Sequence, residues 1–366
     1  MRVLHLISSF GSGGAERQLS LIAPALQASG IETHIAHCTG GPNLARLDGS
    51  EVTLHRLQAS RNEDPRLLWQ TVRLIRRLKP DLVQTWLLQM DVFGGVAAAL
   101  TRTPWVLSER SSALAYAPGL KNRMRALLGR HADVIVANSN AGLDYWRQNH
   151  PKGELALVRN CLPPARGANA AIQTPAGKLV LFVGRLSHDK NIKSLVDAFI
   201  DVVNRHPEVT VKLIGEGPLL EWLTERIAVA GARSRIEILG YSDDVAAWMK
   251  AATLCVSVSG FEGHPNVVLE AASLGCPLVL SDIPAHREFL DESQALYVEA
   301  NSVTDIAAGI LNALADPDAR QDRARKAQVA TLALTIDHAA REYTTIYDRL
   351  LRRRQGARRK PQGTAS

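Results

Sequence analysis

Residues 179–192 read Leu179-Val180-Leu181-Phe182-Val183-Gly184-Arg185-Leu186-Ser187-His188-Asp189-Lys190-Asn191-Ile192. Five apolar residues, a glycine, a polar turn and the start of an amphipathic stretch describe a strand that passes through a tight turn into a helix. The same unit recurs along the chain. In the first half, short apolar runs lie at Val3–Ile7, Thr33–His37, Val52–Leu57, Leu82–Thr85, Trp105–Ser108, Val134–Ala137 and Leu155–Val158. Helix-length patterns such as Gly14–Ala28, Arg66–Leu78 and Lys121–His131 fill the gaps. After Leu179–Val183 the second half adds Val209–Ile214, Ile236–Leu239, Leu254–Val258, Pro277–Leu280 and Leu296–Val298. Short apolar strands alternating with helices predict an α/β protein with parallel sheets covered on both faces. Seven strands and then six more are too many for one compact sheet. The aperiodic stretch 161–177, rich in Pro, Ala and Gly, argues against a closed barrel and reads as a linker. Two Rossmann-like, doubly wound domains are therefore expected, over 1–160 and 178–338. In such sheets ligands bind beyond the carboxyl ends of the strands, so two facing domains would place both sets of ends on a central cleft.

Composition narrows the class. Of 366 residues, 46% are apolar and 22% charged, the balance of an ordinary folded protein. A disordered, collagen-like or disulfide-stapled chain is excluded. Cys38, Cys161, Cys255 and Cys276 are far apart with no C-x-x-C spacing and read as reduced packing residues. No apolar run reaches the ~18 residues of a membrane span. Met1-Arg2 leads straight into Val3–Ile7 without a signal-peptide layout, so a cytoplasmic location is expected. The formal net charge of +7 is unevenly placed. Residues 1–172 hold 20 basic and 12 acidic side chains, whereas 173–351 hold 17 and 24. Arg352, Arg353, Arg354, Arg358, Arg359 and Lys360 make the end of the chain basic again. A basic half suits an anionic membrane, a phosphorylated substrate or nucleic acid, or is simply a solvated face.

Glycine-rich turns carry the candidate chemistry. After the first strand comes Ser8-Ser9-Phe10-Gly11-Ser12-Gly13-Gly14-Ala15-Glu16-Arg17. It is a poor dinucleotide fingerprint: the third glycine would fall at Glu16, and the second strand runs into His37-Cys38-Thr39 with no acidic ribose ligand. An anion or acceptor contact, or a plain tight turn, remains. In the second domain, Arg185 and Lys190 occupy a strand-to-helix turn, where a forked and a compact cation could hold a diphosphate and neutralise it as it departs. Leu213-Ile214-Gly215-Glu216-Gly217-Pro218 is another glycine turn at a strand end. Then comes Ser259-Gly260-Phe261-Glu262-Gly263-His264-Pro265-Asn266-Val267-Val268-Leu269-Glu270-Ala271, opening a helix near Pro265. Its N-terminus can receive a phosphate while Glu262 and Glu270 accept hydrogen bonds from sugar hydroxyls.

Taken in order, Gly13-Gly14-Ala15-Glu16, Gly184-Arg185-Leu186 with Lys190-Asn191, Gly215-Glu216-Gly217-Pro218, and Glu262-Gly263-x-Pro265 with Glu270-Ala271 and Gly275 resemble the retaining glycosyltransferases of family 4, of the type that builds bacterial surface polysaccharide and glycolipid. The resemblance covers nearly the whole chain. It implies a GT-B fold, with the acceptor in the N-terminal domain and a nucleotide sugar (UDP-sugar before GDP-sugar) in the C-terminal one. A last helix would return to the first domain over 339–354, followed by a disordered basic tail over 355–366. It implies that Arg185 and Lys190 contact the diphosphate, that Glu262 binds the donor sugar near its reacting face, and that Glu270 accepts the ribose hydroxyls. Gly13, Gly14, Gly184, Gly215, Tyr241, Gly263 and the backbone at His264, Pro265, Asn266 and Val267 would complete the donor site. Arg185, Lys190 and Glu262 would carry catalysis, with no cofactor and no metal. Consistent with that, the close carboxylate pairs Asp243-Asp244 and Asp316-Pro317-Asp318 fall at expected helix starts, where Asp is a good cap. One departure stands out. The fifth strand of the first domain runs into Leu107-Ser108-Glu109-Arg110-Ser111-Ser112, without the histidine many family members carry there, which leaves Glu109 or Arg110 as the acceptor-side candidates.

For partners, the resemblance implies a nucleotide-sugar donor and a glycan or polyprenyl-linked acceptor. The basic stretches Arg66–Lys79 and Lys121–Leu128, with apolar neighbours, suit peripheral attachment to an anionic membrane; the alternative is that the apolar positions pack inward. Nucleic acid is not expected, since aromatics are 5% and not interleaved with the basic runs. An epimerase or phosphorylase of the same fold, or a non-catalytic sugar-binding protein, are the competing functions.

Overall fold

The computed structural model describes residues 1–59, 64–111, 119–149, 153–163, 172, 177–242 and 244–359. Most of the expected linker (164–171 and 173–176), Ser112, Asp243 and tail residues 360–366 lie outside the described residues. The chain forms two units. One comprises Met1–Cys161 and the C-terminal stretch from Leu334, the other Leu162–Ala333.

In the first unit the elements run β1 (Arg2–Ser9), α1 (Gly14–Ala28), β2 (Glu32–Thr39), β3 (Thr53–Arg56), α2 (Arg66–Leu78), β4 (Leu82–Trp86), α3 (Leu87–Thr101), β5 (Trp105–Glu109), α4 (Leu120–Gly129), β6 (Val134–Ala137), α5 (Asn140–Asn149) and β7 (Glu154–Leu157). The sheet order is β3-β2-β1-β4-β5-β6-β7, with every pairing parallel. Burial follows position in the sheet. Central β4 and β5 are buried throughout, while edge strands β3 and β7 are not.

The second unit runs β8 (Lys178–Val183), α6 (Ile192–Arg205), β9 (Val209–Ile214), α7 (Leu220–Val229), β10 (Ile236–Gly240), α8 (Val245–Ala251), β11 (Leu254–Ser257), α9 (Asn266–Ser273), β12 (Leu278–Ser281), α10 (Pro284–Arg287), β13 (Leu296–Val298), α11 (Val303–Ala315) and α12 (Pro317–Ala330). Its sheet is also fully parallel, in the order β10-β9-β8-β11-β12-β13. Successive residues of a strand point to opposite faces. Val180 and Phe182 accordingly enter one core with α6 and α11, while Leu179 and Leu181 enter another with α8, α9 and Ala327 of α12. The helices after β8 and β11 therefore lie on opposite faces, and the two strands are neighbours. The winding reverses between them, which opens a crevice at their carboxyl ends.

The chain closes with α13 (Ile336–Arg359), which belongs to the first unit. Tyr343 and Tyr347 are fully buried there among Val3, Ile7 and Trp86. The Tyr347 hydroxyl donates to Gln84 Oε1, and Gln84 Nε2 donates to Ser108 Oγ at 2.7 Å. The expected tail from 355 is helical as far as Arg359. Strong helix formers and ion pairs from Arg353 to Glu154 and from Arg354 to Asp133 hold the last turns on the unit.

Two turns of the second unit pack backbone against backbone. Gly215 has φ +143°, and a Cβ there would lie 1.9 Å from the Gly184 carbonyl oxygen. Gly231 has φ +67° with nothing within 4 Å of the same position. Gly231→Ala should therefore cost only the left-handed backbone penalty, about 1–2 kcal/mol. Gly215→Ala adds a clash with immovable backbone and should cost about 3 kcal/mol or more in urea denaturation.

Candidate functional site

The carboxyl edge of the second sheet gathers the glycine turns in strand order. Gly215 N–H donates to the Gly240 carbonyl (2.7 Å), Gly184 N–H to that of Ile214 (2.9 Å), and Leu186 N–H to that of Glu216 (2.9 Å). The turns after β10, β9 and β8 thus form one shelf. Leu186 is fully buried and anchors it, which leaves Arg185 exposed. Among the described residues the Arg185 guanidinium has no hydrogen-bond or ion-pair partner.

Lys190 ends a short tight turn, His188–Lys190, held by its neighbour. Asn191 adopts φ +54°, donates its side-chain amide to the Ala300 carbonyl and accepts from Ser194 Oγ at 3.2 Å. Gly260 N–H donates to the Asp189 carbonyl at 2.9 Å, which stitches the turn after β8 to the loop after β11. Across that stitch Lys190 Nζ pairs with Glu262 Oε1, and Ser259 Oγ donates to the same oxygen at 2.8 Å. The Lys190 and Glu262 side chains keep 22% and 17% of their surface exposed. The pair therefore sits at the crevice where the winding reverses. Pro265, at the N-cap of α9 beside it, makes no side-chain capping hydrogen bond, and a helix N-terminus favours an anion. Glu270 is buried on α9, His264 meets the Phe289 ring edge-on at 5.7 Å, and Tyr241 stands half-exposed after β10.

The first-unit candidates are arranged differently. At Gly13 the side chain of Glu16 folds back so closely that a Cβ would lie 2.3 Å from its Oε2. Ser9 Oγ donates to Glu16 Oε1 at 3.1 Å. Gly13 and Gly14 thus begin α1 over a carboxylate that occupies the turn. Glu109 is enclosed. Its Oε2 accepts from Arg125 Nη1 (2.9 Å) and Trp146 Nε1 (2.8 Å), and its Oε1 from Ser111 N–H (2.9 Å). Arg125 Nε also reaches Asp91 Oδ2 at 2.7 Å, and burial pushes the Asp91 carboxyl above its ordinary range. Arg110 lies 4.2 Å over the Trp86 ring and donates to Asn160 Oδ1 (3.3 Å) and to the Tyr343 hydroxyl.

Of the two acidic pairs expected at helix starts, one Asp caps its helix and the other, Asp244, makes no side-chain capping bond. Asp316 caps α12 by accepting from Ala319 N–H at 2.9 Å, and Asp244 precedes α8. Among the described residues no group of three His, Cys, Asp or Glu side chains is placed to hold a metal ion. The four cysteines are free and buried, and burial pushes the Cys161 and Cys255 thiols up to about 12.

Two family models match the chain. "Glycosyl transferase 4-like domain" covers residues 13–161 and "Glycosyl transferases group 1" covers 177–316. The chain belongs to the family 4 glycosyltransferases. A Campylobacter jejuni relative, N-acetylgalactosamine-N,N'-diacetylbacillosaminyl-diphospho-undecaprenol 4-alpha-N-acetylgalactosaminyltransferase, is 25% identical over 92% of this chain and 96% of its own. The Rhizobium meliloti lipopolysaccharide core biosynthesis glycosyltransferase LpsD is 26% identical over 88% and 90%. The chain itself also matches Mycobacterium tuberculosis glycogen synthase at 30% identity over 55% of its length, and spans about half the length of that relative. Anabaena Alr3699/HepE, solved with UDP, superposes with a TM-score of 0.80 over 95% of this chain and 100% of its own, at 20% identity. The family 4 chain therefore has the GT-B fold.

Residues to which sequence reasoning gave no role in the site complete both clusters: Ser259, Ser281 and His286 beside Glu262, and Asp91, Arg125 and Trp146 around Glu109. Ser259 and Arg125 lie in stretches the sequence did mark, but their roles, like those of the others, depend on partners such as Ser281, Asp91 and Glu109 that are distant in sequence.

Magnitudes separate the two ion-pair sites. The Arg125 side chain is 3% exposed and its two carboxylates 0%. Glu109→Ala should lower stability by about 3–5 kcal/mol in chemical denaturation, the cost of breaking an enclosed ion pair. Glu262→Ala, at a pair whose side chains keep 22% and 17% of their surface exposed, should cost less than that, about 1–3 kcal/mol.

Proposed function

We propose that this protein transfers a hexose or N-acetylhexosamine from a nucleotide diphosphate sugar, UDP-linked in the first instance, to a glycan or lipid-linked acceptor in cell-surface polysaccharide or glycolipid biosynthesis. The observation that carries the reading is the Lys190–Glu262 pair: partly accessible, pinned by the Gly260–Asp189 hydrogen bond, and set just before the N-terminus of α9. A stability-optimised ion pair has no need of that position. A diphosphate does, because it would meet two cations, Lys190 and the exposed Arg185, together with the positive end of α9.

In this reading the diphosphate draws Lys190 away from Glu262, and Glu262 turns to the sugar hydroxyls. Glu270 takes the ribose. Transfer breaks the bond from the anomeric carbon to the phosphate oxygen and forms one to the acceptor oxygen on the same face, so configuration is retained. The acceptor hydroxyl's proton passes to a phosphate oxygen. No protein nucleophile is required, and stabilising the departing diphosphate is the main catalytic contribution. Arg185 and Lys190 supply that charge without a metal. The family membership supports glycosyl transfer, and the printed names of the C. jejuni and R. meliloti relatives support a lipid-linked or lipopolysaccharide acceptor. The HepE structures with UDP and UDP-glucose support the donor class.

A lipid-linked acceptor calls for contact with a membrane. Among the described residues no helix is long and apolar enough to cross one. In α2 the aliphatic side chains Leu67, Val72, Leu74 and Ile75 pack inward, which leaves Trp69 out with Arg66, Arg73, Arg76 and Arg77. In α4 Leu120, Met124 and Leu127 are exposed on one face, beside Lys121 and Arg123. These faces support peripheral attachment to anionic lipid.

Lys190→Ala and Glu262→Ala should each lower transfer at least about a hundredfold while the circular dichroism spectrum stays unchanged; full activity in both removes the site assignment. Transfer should continue in EDTA, and a strict Mn²⁺ or Mg²⁺ requirement counts against the metal-free reading. In a thermal-shift screen of nucleotide sugars, the true donor at 100 times its dissociation constant should stabilise by about 2.7 kcal/mol.

A further inference from the structure

His286, on α10 just beyond β12, is fully buried and connects to the candidate site through a chain of hydrogen bonds by way of Ser281 and Ser259. Its Nδ1 lies 2.9 Å from the Ser281 carbonyl oxygen and 3.3 Å from Ser281 Oγ. Ser281 Oγ donates to the Ser259 carbonyl oxygen at 2.7 Å. Ser259 Oγ donates in turn to Glu262 Oε1 at 2.8 Å, the oxygen that Lys190 also grips. The ends of β11 and β12 are thereby tied together behind Glu262.

The protonation state follows from the surroundings. Burial lowers the His286 pKa; the Ser281 carbonyl and the Glu262 charge oppose that, and the Lys190 charge reinforces it. Arg287, the next residue on α10, is engaged by Asp282 and Glu292. A neutral ring donates from Nδ1 to the Ser281 carbonyl and leaves Nε2 as a bare acceptor. Among the described residues Nε2 is buried with no hydrogen-bond partner. An orphaned buried acceptor costs about 1–3 kcal/mol, whereas an apolar side chain of similar size would cost nothing of the kind. Packing alone would therefore favour leucine or phenylalanine here. What the imidazole adds is its Nδ1 donor.

We propose that His286 is a positioning residue for the Lys190–Glu262 pair: its Nδ1–H clamps Ser281, whose hydroxyl fixes the Ser259 carbonyl and so the loop that presents Glu262. The proposal rests on the reading of Glu262 as the donor-sugar contact. Asparagine can place a side-chain N–H close to the Nδ1 position; leucine fills the space without a donor.

The test compares His286→Asn, His286→Leu, Ser281→Ala and Glu262→Ala in the full chain. Released UDP is measured over a range of UDP-glucose and UDP-N-acetylglucosamine concentrations, and hydrogen exchange of residues 259–263 is followed by mass spectrometry without donor. His286→Leu and Ser281→Ala should each lower kcat about tenfold with KM within about twofold, and speed exchange in 259–263 about tenfold. His286→Asn should restore both to within about threefold of the parent. Equal losses in His286→Asn and His286→Leu, or parental kcat and exchange in His286→Leu, overturn the proposal. Should His286→Leu fail to fold, Ser281→Ala decides by the same two readouts. If neither donor is turned over, the exchange data decide alone. Glu262→Ala keeps the two readings apart: if it is inactive while His286→Leu behaves like the parent, the positioning role falls and the function stands, and if it is fully active the site reading itself falls.

Discussion

A fully parallel sheet imposes the constraint on which the rest depends. Every strand enters from the same side, so every strand-to-helix turn emerges along one edge. In the second unit that edge collects the turns after β8, β9, β10, β11 and β12. Because β8 and β11 are neighbours whose helices lie on opposite faces, their turns diverge and leave a crevice. Lys190 comes from one side of this reversal and Glu262 from the other. Neither is unusual alone; the winding of the sheet makes them a pair.

The two ion-pair clusters differ in how deeply they are buried. Arg125, Asp91 and Glu109 sit under helices of the first unit with their hydrogen-bonding groups engaged by Thr85, Trp146 and Ser111. Such a cluster resists change, since removing one member strands the others in low dielectric. Lys190 and Glu262 keep 22% and 17% of their side-chain surface exposed, so separating them costs less than breaking the enclosed cluster. A lower cost of separation is what a site needs if a diphosphate is to take the cation and a sugar the carboxylate. The backbone beneath supplies rigidity that the side chains lack, through the Gly260–Asp189 hydrogen bond and the left-handed Asn191.

The C-terminal helix makes the first unit depend on residues more than 150 positions beyond the rest of it. Tyr343 and Tyr347 fill its core, and their hydroxyls meet Arg110 and Gln84. Unit 2 is thus inserted between two parts of unit 1, and the first unit is complete only once α13 has been made.

The sequence by itself determined the strands and their parallel pairing. Short, nearly continuous apolar runs separated by helix-length patterns leave little choice, and all thirteen expected strands form. It also singled out Arg185, Lys190, Glu262 and Glu270, because turn glycines and a helix start mark local positions where a ligand can approach backbone. Only the tertiary structure decided which polar side chains serve which end. Glu109 stood in a conspicuous Ser-Glu-Arg run, yet its carboxylate is enclosed by Arg125 and Trp146 from later helices. His286 had no motif at all, yet it reaches Glu262 through Ser281 and Ser259. Likewise α2 and α4 read alike as basic and apolar, but α2 turns its aliphatic side chains inward while α4 leaves Leu120, Met124 and Leu127 in solvent. The reason is one of range: periodicity and turn chemistry are set by neighbours a few residues apart, whereas burial and hydrogen-bond partners depend on which strands lie side by side after the chain has crossed over.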